Sequence, residues 1–150
     1  MEIDEATIET LARLIYENYL ADEGGDGPPW DDLSEDLRES NRAQAWAIVD
    51  KLASIGARVE EGMPTKPFAF TPVEVERLAE GEHERWMAER TRAGWTYAPV
   101  RDDRGKHHPM MIAWDKLPEA ERDKDRRAVT HIPDVLAHAC MRIVRRSVDA

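Results

Sequence analysis

Apolar residues recur at helical spacing over most of this chain, and the places where the rhythm stops mark its joints. Between about residues 5 and 20, Ile8, Leu11, Ala12, Ile15 and Tyr19 fall on one stripe at intervals of three and four, which predicts an amphipathic helix. The run from Asp22 to Pro29 combines Gly24, Gly25 and Gly27 with two prolines, and neither a helix nor a strand accommodates that. After Ser34 a second helical stretch turns Leu37, Ala45, Ile48, Leu52 and Ile55 inward and ends at Gly56, a natural helix C-cap. Residues 57–70 read as an irregular connector. Thr71-Pro72-Val73-Glu74 then has a capping Thr, a Pro at the first helical position and a Glu to close the box. That helix carries Val75, Leu78, Ala79 and Trp86 and stops at Gly94. Leu117-Pro118-Glu119 starts another helix. Thr130 and Pro133 start a last one, burying Ile132, Leu136, Ala139 and Ile143.

Laid over each other, the two halves of this pattern match. Ile8-Glu9-Thr10-Leu11-Ala12 recurs as Val75-Glu76-Arg77-Leu78-Ala79, and Trp30-Asp31-Asp32-Leu33 recurs as Trp114-Asp115-Lys116-Leu117. Arg42 then corresponds to Arg126, Ile48 to Ile132 and Leu52 to Leu136. The spacing from Tyr19 to Trp30 is 11 residues, and from Trp86 to Trp114 it is 28, so the second copy carries 17 more. The pattern predicts an all-α fold: a duplicated helical hairpin packed about a pseudo-twofold axis, with little or no strand. Its half-repeats cover about residues 5–56 and 72–146, joined by connector 57–71 into one domain spanning residues 1–150. Repetition completes a core without further purpose, but a loop added to one copy alone is harder to explain by packing.

That loop, Gly94 to Leu117, holds Trp95, Tyr97, Trp114, the adjacent His107 and His108, and several opposed charges. Long ordered loops are commonly functional, and flat aromatics beside convertible donors and acceptors are the residues that anchor ligands. Trp95 follows the helix-ending Gly94, where an indole either stacks on a purine or roofs the helix pair. His83, Trp86 and Arg90 share one helix face, offering an imidazole, an aromatic wall and a guanidinium fork to an anion; the competing reading is a salt-bridge lattice with Glu82, Glu84, Arg85 and Glu89. Trp86 and Trp114 also suit the core. Arg101-Asp102 reads as a buried pair stapling the loop, with Lys106 and His108 adding charge. Arg42 and Arg126 either converge on a phosphate or each tie their own helix to a carboxylate, and the second is the simpler arrangement.

Composition narrows the function classes. The net charge is −10, yet residues 1–40 hold 13 acidic and two basic side chains, leaving 18 acidic and 19 basic for the rest. The acidity therefore belongs to the first helix and its loop, and no clustered basic face invites nucleic acid. The nearest basic group, Arg142, Arg145 and Arg146, is placed at the end of the last helix, where it answers the helix dipole. No apolar run reaches membrane-spanning length, Met1-Glu2-Ile3-Asp4 does not resemble a secretory leader, and a single cysteine, Cys140, fits a reducing compartment. These features predict a cytoplasmic protein without a membrane partner. Two adjacent His point apart in an extended chain, and no ligand spacing for a metal is present, so neither metal nor cofactor is expected. Catalysis has little support either: Cys140 falls in a helix read as buried, and no phosphate loop or nucleophile elbow appears.

The residues Leu78-Ala79, His83, Trp86, Gly94-Trp95-Thr96-Tyr97, Val100-Arg101-Asp102, His108-Pro109, Trp114 and Leu117 resemble the RyR domain, the repeat found in pairs in ryanodine receptors and in many bacterial proteins. The resemblance is strong over about residues 73–145 and weaker over 5–56. Ala98 stands where the pattern has Gly. It implies a small all-α, non-enzymatic module that senses a nucleotide-like ligand, such as adenine nucleotide or an ADP-ribose-derived signal. The first half has no Gly-Trp-x-Tyr loop, which favours one asymmetric site over two equivalent ones. A protein-interaction module, engaging a partner or a second copy through the same aromatics, is the rival expectation, and a nucleotide-processing enzyme a third.

Overall fold

The computed structural model describes residues 2–146. The helical stripes become α1 (Glu5–Asp22), α2 (Glu35–Trp46), α3 (Ile48–Ser54), α4 (Pro72–Arg92) and α5 (Glu119–His138), and the chain is mostly helical. Asp4 caps α1 by accepting from the Thr7 amide at 2.8 Å, and Ser34 caps α2 by accepting from the Leu37 amide at 3.3 Å. The described helices include none long and apolar enough to cross a membrane.

Several expectations need correction. Little or no strand was expected, yet β1 (Ala57–Glu61) pairs antiparallel with β4 (Met141–Arg145), from Ala57 opposite Arg145 to Glu61 opposite Met141. Residues 57–61 are thus no irregular connector, and Ile143, Arg142 and Arg145 lie on a strand rather than the last helix. The inward Ala57 and Val59 alternate with the outward Arg58, the period-two rhythm of a half-buried strand. The two helices expected around Pro133 are one, with the proline inside α5. Pro133 has no amide to give the preceding turn, and the helix continues across that missing bond. The second helical stretch is interrupted at Ala47 instead. Leu37 and Tyr19, placed on inward stripes, are exposed; Tyr16 is buried in place of Tyr19, its hydroxyl donating to the Pro28 carbonyl at 2.6 Å. Cys140 is exposed, in a left-handed turn (φ 57°) between α5 and β4.

The chain divides into two compact units, one running to Thr71 and resuming at Thr130, the other Pro72–Val129. In the first, Ile8, Leu11, Ile48, Leu52, Val135 and Leu136 form a continuous apolar core. In the second, α4 buries Leu78, Ala79, Glu82 and His83, with Trp114, Leu117 and Val129 also buried. Burying Glu82 requires a partner, and Arg85 supplies one through two bonds of 2.9 and 2.8 Å. A short parallel pairing of β2 (Thr96–Tyr97) with β3 (His107–His108) stiffens the long loop.

Candidate functional site

The site is built at the end of α4, where the helix hands over to the loop. Gly94 takes φ 91°, a conformation that costs a residue with a Cβ, and the Trp95 amide then donates to the Arg90 carbonyl at 2.9 Å. This turn carries the Trp95 indole back over its own helix. The Arg90 guanidinium lies over the Trp95 ring at 5.4 Å and over the Trp86 ring at 6.0 Å. Among the described residues no carboxylate pairs with Arg90.

The loop brings a third ring to the same place. Asp102 and His107 exchange backbone hydrogen bonds of 3.0 and 2.9 Å, closing a tight turn in which a side chain on Gly105 would collide with the Asp102 carboxylate. The chain leaves that turn with His108 set edge-on to Trp86, ring centroids 4.9 Å apart, and tilted against Trp95 at 6.2 Å. Burial, followed by the Arg101 and Arg90 guanidiniums, holds the His108 ring below its ordinary 6.5, against a weaker upward pull from Glu121 and Asp103. Lys106, with φ 57°, anchors the loop by donating from Nζ to the Ala93 carbonyl at 2.7 Å.

Of the residues singled out from sequence, Trp86, Arg90, Trp95 and His108 are thus brought together, each indole lying against both the guanidinium and the imidazole, with Lys106 and Arg101 on the adjoining loop. Tyr97 is exposed on that loop. His83 extends the stack inward, its ring 5.7 Å from Trp86 and nearly parallel to it. It is buried, and donates from Nε2 to the Ile112 carbonyl at 2.7 Å. The expected Arg101–Asp102 pair does not form: both are exposed, Arg101 binds Asp103 at 2.8 Å, and Asp102 accepts from the Arg104 amide. Neighbouring side chains on an extended segment point apart, so the partner two residues on is the one within reach.

Trp114, Arg42 and Arg126 belong to a different device, made once in each unit. Glu76 accepts from Arg126 Nε at 2.8 Å and from Trp114 Nε1 at 3.2 Å, while the guanidinium also binds Glu119 and Asp123 and covers the Trp114 ring. Glu9 accepts from Arg42 Nε at 2.7 Å and from Trp30 Nε1 at 3.1 Å, while Arg42 also binds Glu35 and Glu39 and covers the Trp30 ring. Each carboxyl lies below its ordinary 4.5, chiefly because the guanidinium bonds its charged form. Both arginines are therefore committed to carboxylates within their own units. Glu9 and Glu76 were not singled out from sequence, although their equivalence in the repeat was visible.

The stack of Trp86, Trp95 and His108 around Arg90, opened by Gly94, lies wholly within a segment whose family is known. Residues 72–144 match the family model described as the RyR domain, and over that stretch the chain carries an RyR domain.

Proposed function

We propose that this chain binds a small anionic ligand with a flat ring, a nucleotide-like molecule, without transforming it. The observation that supports this best is Arg90: a guanidinium backed by two indoles, with no carboxylate among the described residues to satisfy its donor fork. Such a group is preorganised for phosphate, because its aromatic supports hold it in place without using its N–H edges. The half-buried Trp95 and the exposed Tyr97 offer stacking area beside it, and Lys106 and Arg101 add positive charge on the same loop.

In this reading the protein is a sensor or carrier rather than an enzyme, works in the cytoplasm where its free Cys140 stays reduced, and needs no cofactor. We read residues 1–150 as one RyR-like domain made of two related halves. The matching Glu9–Trp30–Arg42 and Glu76–Trp114–Arg126 contacts support that duplication. The halves diverge where the long loop was added to the second.

A thermal-shift screen of adenine nucleotides, ADP-ribose, its cyclic forms and cyclic dinucleotides tests the reading. A ligand present at a hundredfold its Kd stabilises the folded state by about 2.7 kcal/mol. That shift is expected in the native protein and lost in Trp95→Ala and Arg90→Ala. No shift with any of these ligands, from a well-folded protein, would sink it. The second reading is then a protein-interaction module, favoured by Tyr97 and Val100, which are 56% and 76% exposed on the same loop.

A further inference from the structure

His108 sits where the aromatic surface and its charges meet, and its protonation state can be read from its neighbours. Its Nδ1 accepts from the Met110 amide at 3.0 Å. A nitrogen that accepts carries no hydrogen, so the neutral ring holds its proton on Nε2 and presents that N–H as a donor. None of the described residues accepts from it. Four charged groups act on the ring: Arg90 from α4, Arg101 and Asp103 from the loop, and Glu121 from α5. The guanidiniums oppose a second proton and the carboxylates favour it.

We propose that His108 makes anion binding at this surface proton-linked, acting as a neutral donor that becomes a cation when an anion seats beside Arg90 and Arg101. This rests on the anion-binding reading above. An anion there offsets the two guanidiniums, so a proton from solvent is taken up at Nδ1, the one ring nitrogen that lacks one. The protonated Nδ1 no longer accepts from Met110, and that amide is released. Nε2–H remains a donor, now charge-assisted, toward the anion. By linkage the anion raises the His108 pKa, and falling pH tightens the anion. One proton taken up gives at most roughly a tenfold change in Kd per pH unit, over the interval between the free and bound pKa.

The test combines nitrogen NMR of the His108 ring with binding of ADP-ribose and of sulfate, two anions whose charge is constant from about pH 7.5 to 5.5. The free protein is expected to show the Nε2–H tautomer and a pKa below the ordinary value. ADP-ribose is expected to raise that pKa, bind several-fold more tightly at the acid end and shift the Met110 amide. His108→Gln, which cannot titrate, is expected to bind with a flat pH profile. An Nδ1–H tautomer in the free protein overturns the proposal. So does ADP-ribose binding that is independent of pH, or a slope that survives in His108→Gln; both leave the ligand-binding reading standing. If sulfate raises the His108 pKa while ADP-ribose fails to bind, the proton linkage stands and ADP-ribose is excluded as the ligand. If neither anion binds, the proton linkage falls, and the nucleotide reading is decided by the remaining ligands of the thermal-shift screen.

Discussion

Glu76 and Arg126, 50 residues apart in the chain, meet through two hydrogen bonds of 2.8 and 3.0 Å, and the same carboxylate also takes the Trp114 indole N–H. The bonds tie α4, the first half of α5 and the turn carrying Trp114 together within the second unit. Glu76 is 46% exposed at its side chain, so water screens the charge and the pair is worth less than its geometry alone implies. Glu76→Gln is expected to cost about 1–2 kcal/mol in urea unfolding. A double-mutant cycle with Arg126→Met should return a coupling of about 1 kcal/mol, and additive effects would show that the contact contributes nothing to stability.

The buried pair behaves differently. Glu82 has 5% of its side chain exposed and Arg85 19%, so removing the arginine takes a guanidinium and two hydrogen bonds from a buried carboxylate. Arg85→Met should destabilise by about 3–5 kcal/mol. Adding Glu82→Leu should restore much of that loss. Equal damage from the single and double variants would mean that the charge itself is not the cause.

Acid should weaken the two Glu–Trp–Arg devices. Glu9 and Glu76 are held below their ordinary 4.5 in the folded state, so their contribution is complete above that pH and is lost as pH falls through the lowered values. The melting temperature is expected to be level through neutral pH and to decline below about 4.5. The doubly substituted Glu9→Gln, Glu76→Gln protein should start lower and decline less steeply. Parallel curves for the two proteins would place the acid sensitivity elsewhere.

Cys140 holds φ 57° just past the end of α5, a conformation glycine adopts without a Cβ penalty. Cys140→Gly is expected to stabilise by about 0.5–1 kcal/mol, after the glycine's greater freedom in the unfolded chain is subtracted. A lower urea midpoint for the variant would show that the thiol makes a contact worth more than the strain.

Helices were legible in the sequence because their causes are local. The stripe of Ile8, Leu11 and Ala12, the cap at Ser34 and the start at Pro72 act within a turn or two of the residues they organise. The shared face of His83, Trp86 and Arg90 was legible for the same reason, and so was the family of residues 72–144, whose motif is carried by residue types in a fixed order. What tertiary structure decided is whatever depends on partners distant in sequence. β1 and β4 pair across some 80 residues, and neither five-residue segment carries enough periodicity to announce a strand without the other. Pro133 reads locally as a helix start, and only the complete fold keeps α5 continuous through it. Arg42, Arg90 and Arg126 are the same residue type on similar helices. Packing alone gives two of them three carboxylates each, and leaves Arg90 between two indoles with no carboxylate partner among the described residues. Composition and spacing name three guanidiniums of one residue type, but the fold determines which of them carboxylates take up, because a guanidinium's partners depend on what surrounds it.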